Sequence, residues 1–178
     1  MRHLLIPTAA IHYIKTRKRL WLKILIAVIP AIGITLCFKC VELKEDVILS
    51  DVFRDFVNVQ ISAIAILISF SIAIITILVS ADNPNIKKLK EKNSTECKPL
   101  NGKSLNLFQV LLSNITYNVL IEVAYLGFLV VCIFLQLYMG GEFYKCLMAI
   151  CVFFIVHILH ILLESVGQMY LTFWKHEE

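Results

Sequence analysis

The chain has 178 residues, of which 59% are hydrophobic and only 17% charged, with a formal net charge of +4. Its mean hydropathy is +0.80. A soluble domain carries about 25% charged residues, and the apolar excess here is gathered into long runs, which excludes a soluble enzyme, a disordered chain and a small disulfide scaffold and predicts a membrane protein.

Residues 1–19 read as a basic, amphipathic segment. Its apolar part, 4–14, is too short to cross a bilayer and is either a helix lying in the interface or a frayed terminus. Arg17, Lys18 and Arg19 precede the first apolar run, 20–38, which only Lys23 interrupts. No small-residue cleavage site follows that run, so it is expected to be a span rather than a signal peptide. Pro30 removes one backbone hydrogen bond within it, giving a kink or a hinge. An outer loop, 39–55, leads to a second span, 56–80, that carries no charge. There Ser62, Ala65, Ser69, Ala73, Thr76 and Ser80 recur at steps of three or four and make one stripe of small residues. Helix association in lipid depends on close packing, so the stripe is expected to meet another helix; lining a narrow pore is the alternative.

A Lys-rich segment, 81–106, separates the second span from the third, 107–139. A short turn, 140–142, built on Gly140-Gly141 joins the third span to the fourth, 143–169, and a tail, 170–178, follows. About 20 helical residues cross the ~30 Å of hydrocarbon. None of the runs alternates as a barrel strand would. The predicted fold class is all-α, a polytopic membrane protein with four transmembrane helices.

Lys and Arg set the expected orientation. Arg2, Lys15, Arg17, Lys18, Arg19 and Lys23 lie before or at the first span, and Lys87, Lys88, Lys90, Lys92, Lys98 and Lys103 lie between the second and third. With Lys175 they far outnumber Lys39, Lys44, Arg54 and Lys145 on the other side. Both termini are therefore expected in the cytoplasm of a bacterial cell, with the chain in the inner membrane. Trp21, Tyr138, Phe143, Tyr144, Tyr170, Phe173 and Trp174 stand at the span ends, as interfacial aromatics do.

The third and fourth spans carry a ladder of polar residues: Asn114, Asn118 and Glu122 on one, His157, His160, Glu164 and Gln168 on the other. Counting back equally from Gly140-Gly141 brings Asn114 level with Gln168, Asn118 with Glu164 and Glu122 with His160, with His157 above. Ionisable groups in a membrane face the protein interior or water. The ladder reads as interhelical glue, as a proton or ion path, or as a ligand or lipid-headgroup site. A three-ligand metal site of the two His with a Glu is not expected, because the His pair is spaced by three and lacks the His-Glu-x-x-His pattern of a metalloprotease.

Cys37, Cys40 and Cys146 share the outer level, where a disulfide is conceivable, although a pair three apart on one helix is poorly placed to bridge itself. The cytoplasmic lysines Lys87, Lys88, Lys90 and Lys92, with Arg17, Lys18 and Arg19, bind anionic lipid or dock an acidic cytosolic protein. Direct nucleic-acid binding is not expected, because the 81–106 segment has no aromatic residue for stacking. No phosphate loop, no Gly-x-Ser-x-Gly and no Arg-x(4–6)-His ribonuclease pattern is present, so no catalytic residue and no cofactor is predicted.

The spans at 20–38 and 56–80, the exit NPNIKKLKEK at 83–92 and the Gly140-Gly141 hairpin together resemble the KwaA family, the membrane subunits of the bacterial Kiwa anti-phage systems. The resemblance is architectural and covers the whole chain. It implies a homo-tetramer in the inner membrane that holds a DNA-binding cytosolic partner and responds to infection, and it transfers no functional residue. The expected function is a non-enzymatic assembly subunit that self-associates and anchors or signals to that partner. The alternative is an oligomeric pore or transporter that uses the Asn/Glu/His ladder.

Overall fold

The computed structural model describes residues 5–40, 48–80, 84–94, 97–99, 102 and 104–174, the side chains of 5–9, 85 and 171–174 excepted. Arg2, Lys44, Lys103, Lys175 and the side chains of Phe173 and Trp174 lie outside the described residues. The described chain is helical: α1 (Leu5–Thr16), α2 (Leu20–Cys40), α3 (Leu49–Ser80), α4 (Pro84–Glu91), α5 (Leu107–Leu135) and α6 (Gly141–Trp174). In hydrocarbon every backbone N–H and C=O must be satisfied within its own segment, which is why these apolar runs become helices. Among the described residues, α2, α3, α5 and α6 are the four helices long and apolar enough to span a membrane.

The helix bounds depart from the apolar runs where local chemistry intervenes. The α3 helix starts at Leu49, well before the apolar run, and its polar first turns are supported by an Arg54 to Asp51 pair at 3.2 Å. The α5 helix stops at Leu135, short of Met139, and residues 136–138 turn. The Tyr144 hydroxyl then closes the hairpin by donating to the Gln136 and Met139 carbonyls at 3.0 and 2.6 Å. Gln136 Nε2 donates to the Ser50 carbonyl at 2.9 Å and so ties the start of α3 to the same end.

The Lys-rich segment, expected as a loop, contains α4, whose Ile86 and Leu89 are buried while Lys87, Lys88 and Lys90 are exposed. Asn106 caps α5 in a reciprocal capping box with Gln109, which satisfies two backbone donors at the helix start.

Among the spans α2 packs on α6, α6 on α5 and α5 on α3, and α3 also touches α6 where Phe53 stacks on Tyr144. The two middle helices are the more buried. Consecutive α2 and α3 therefore stand at opposite edges. The central core joins Phe53, Val57 and Ile64 of α3 to Tyr125, Leu129 and Cys132 of α5 and Leu147, Met148 and Cys151 of α6. The α1 helix lies against α5, where Tyr13 stacks on Tyr117 with ring centroids 3.9 Å apart.

Candidate polar site at the α1–α4 end

Three charged side chains meet where α1, α2 and α6 converge. Lys23 donates from Nζ to Glu164 Oε2, and Arg17 Nη1 lies 3.7 Å from Glu164 Oε1. The side chains of Arg17 and Lys23 are 5% and 11% exposed, and that of Glu164 22%. Lys23 also donates to the Tyr13 hydroxyl at 3.3 Å, and both cations lie over the Tyr13 ring. Burial raises the Tyr13 hydroxyl above its ordinary pKa, so it stays neutral beside them. Two cations thus share one carboxylate in a poorly hydrated place, an arrangement whose cost is offset only while all three are present.

The same cluster reaches the segment that follows α4. Arg17 Nη1 donates to Cys97 Sγ at 3.7 Å, and the Lys98 N–H donates to the Thr16 carbonyl at 2.8 Å. Arg17 is therefore not on the surface, as its expected docking role required; it is buried because it serves Glu164 and Cys97. Lys18 and Arg19 are exposed.

One rung of the polar ladder forms at its expected level: Asn114 Nδ2 donates to Gln168 Oε1 at 3.0 Å. The others differ. Glu122 does not meet His160; its Oε1 accepts from Ser71 Oγ of α3 at 3.1 Å and from Asn118 Nδ2 at 2.8 Å. Asn118 is accordingly spent on Glu122 rather than on Glu164, which turns to Lys23 and Arg17. His157 Nε2 lies 3.4 Å from the Tyr117 hydroxyl, and its ring stacks on Phe153. The reason is helical geometry. Residues four apart advance by slightly more than one turn, so each step rotates the face by about 40°. From Asn114 to Glu122 the face of α5 swings from α6 towards α3. A common height does not make a common face.

Several buried polar atoms along this swing have no partner among the described residues: Asn114 Oδ1, Asn118 Oδ1, Glu122 Oε2 and His157 Nδ1. No three His, Cys, Asp or Glu side chains converge among the described residues. Cys37, Cys40 and Cys146 are free and exposed. The stripe Ser62, Ala65, Ser69, Ala73, Thr76 and Ser80, expected to meet another helix, is instead exposed along α3. Its hydroxyls bond the carbonyls four residues back, so the stripe presents a smooth surface without free donors.

Sequence reasoning missed the part Lys23 plays. A Lys inside an apolar run demands a counter-charge, and the acids that the other spans hold within their apolar runs are Glu122 and Glu164. That signal was present, but choosing between the two required knowing that α2 lies beside α6.

The fold and this polar cluster define an all-α, four-span membrane protein. No protein-family profile matches the chain, no curated protein is similar to it and no solved structure matches it.

Proposed function

We propose that the protein is a non-enzymatic membrane assembly subunit that self-associates and anchors, or signals to, a cytosolic protein partner. We assign this role to anti-phage defence at the bacterial inner membrane; the architectural resemblance to the Kiwa membrane subunits is what supports that reading. The observation that carries the reading is the α1–α4 end. There α4 is held by its apolar face, and Lys87, Lys88, Lys90 (which lies over the Phe108 ring) and, just past the helix, Lys92 are exposed. The segment after α4 is tied through Cys97 and Thr16 to Arg17, and through Arg17 and Glu164 to α6. A partner bound on the lysines would be mechanically joined to the spans, which suits an anchor or a relay. The exposed small-residue stripe on the edge helix α3 supports self-association, since it permits close backbone approach by a second copy.

The test is to express the chain with the product of its neighbouring gene and to challenge the cells with phage. Lys87→Glu together with Lys88→Glu should abolish both co-purification and protection while the membrane level of the protein stays unchanged. A chain that purifies from its native host as a monomer with no partner would overturn the proposal.

A second reading, an oligomeric pore or transporter, is favoured by the unpartnered buried atoms around Glu122. Such atoms in a bilayer call for water or an ion. Glu122→Gln keeps the acceptor that Ser71 and Asn118 use, so assembly should survive, whereas Glu122→Leu should cost about 1–3 kcal/mol by stranding the Asn118 amide. Ion flux through liposomes that carry the wild type, lost in Glu122→Gln, would establish the pore; equal, background-level flux from both would leave the Glu122 cluster as interhelical glue.

A further inference from the structure

A cavity of about 650 Å³ opens between α2 and α6 in the half of the bundle nearer the connection from α5 to α6. It begins where α2 stops packing tightly: Lys23 and Ala27 are its buried residues, and beyond Pro30 none is buried. The walls are apolar, from Val28, Ala31, Ile150 and Phe153. The mouth is polar and carries Thr35, Lys39, Glu142 and Lys145. Lys145 pairs with Glu142 at 2.6 Å, while Lys39 has no ion-pair partner among the described residues, so among those that line the mouth the lysines exceed the one carboxylate.

The depth fits one leaflet. The stretch from Val28 to Lys39 rises ~16 Å along the helix, and half of the hydrocarbon thickness is ~15 Å. An aliphatic chain lying along the walls would bring its headgroup level with the lysines. We propose that this groove is a binding site for an anionic phospholipid, with an acyl chain between α2 and α6 and the phosphate held by Lys39 and Lys145. Two lysines against one carboxylate among the described lining argue for an anionic lipid over a neutral one and over a second copy of the chain, whose apolar helix would offer them no acceptor.

Native mass spectrometry of the full chain tests this with dioleoylphosphatidylglycerol, dioleoylphosphatidylcholine and, as the headgroup alone, glycerol 3-phosphate. The wild type should retain the anionic lipid over the zwitterionic one by about fivefold, the usual strength of one lysine acting on a lipid phosphate, and should not retain glycerol 3-phosphate. Lys39→Gln with Lys145→Gln should reduce the two lipids to parity, and Ala31→Phe, which fills the groove, should reduce the retention of both. Equal retention of the two lipids by the wild type would overturn the proposal, as would an anionic preference unchanged in the lysine variant. Dissociation of an oligomer by Ala31→Phe with lipid retention intact would also overturn it, by placing a second copy in the groove. If Ala31→Phe does not fold, the surface lysine variant decides the question alone.

Discussion

Replacing Glu164 with Gln should lower the stability of the detergent-solubilised protein by about 3–5 kcal/mol, the typical cost of removing one partner from a buried ion pair. The change is nearly isosteric, so packing is not the cause. It withdraws the one carboxylate that Lys23 and Arg17 share and leaves two cations poorly hydrated between α1, α2 and α6. Because the Glu164 side chain is 22% exposed, water recovers part of the loss, and the lower end of the range is expected. Adding Lys23→Met to Glu164→Gln should restore part of the stability, since it removes one of the two charges that the first change stranded. Denaturation of the two single variants and the double variant in one detergent gives the coupling directly. A Glu164→Gln protein as stable as the wild type would mean that the three charges are independently hydrated.

Tyr13→Ala should release α1 from the bundle at a cost of about 3–5 kcal/mol, as for other large aromatic truncations in a packed interior. Tyr13 is fully buried, stacks on Tyr117 and accepts the Lys23 hydrogen bond. Its loss therefore removes a packing surface and a polar partner together. Trypsin should then cut rapidly between Lys15 and Arg19 in membranes where the wild type is cut slowly. Tyr13→Phe keeps the stack and loses only the hydroxyl that Lys23 donates to, so it should cost about 1.5–3 kcal/mol, less than Tyr13→Ala, and keep the slow cleavage. Rapid cleavage of the wild type would show that α1 is not docked in the membrane-bound protein.

The spans were legible because composition alone compels them: a run such as 56–80 without a charge has no stable form in hydrocarbon except a helix. The Gly140-Gly141 hairpin was equally legible, and with it the level of Asn114 against Gln168, because a tight turn forces an antiparallel pair. The helical first turns of α3 from Leu49 and the short α4 escaped notice because they are polar and gain their stability from neighbours, Gln136 with Ser50 in one case and the burial of Ile86 and Leu89 in the other. What only the tertiary structure decided is which helices are adjacent and which way each polar side chain turns. Glu122 faces Ser71 because α3 packs on α5, and Lys23 finds Glu164 because α2 packs on α6, with α2 and α3 at opposite edges despite being consecutive. Spans are set by local hydrophobicity, which the chain carries residue by residue; adjacency is set by the packing of distant surfaces against one another, and a rotation of about 40° for every four residues is enough to hand a carboxylate from one neighbour to the next.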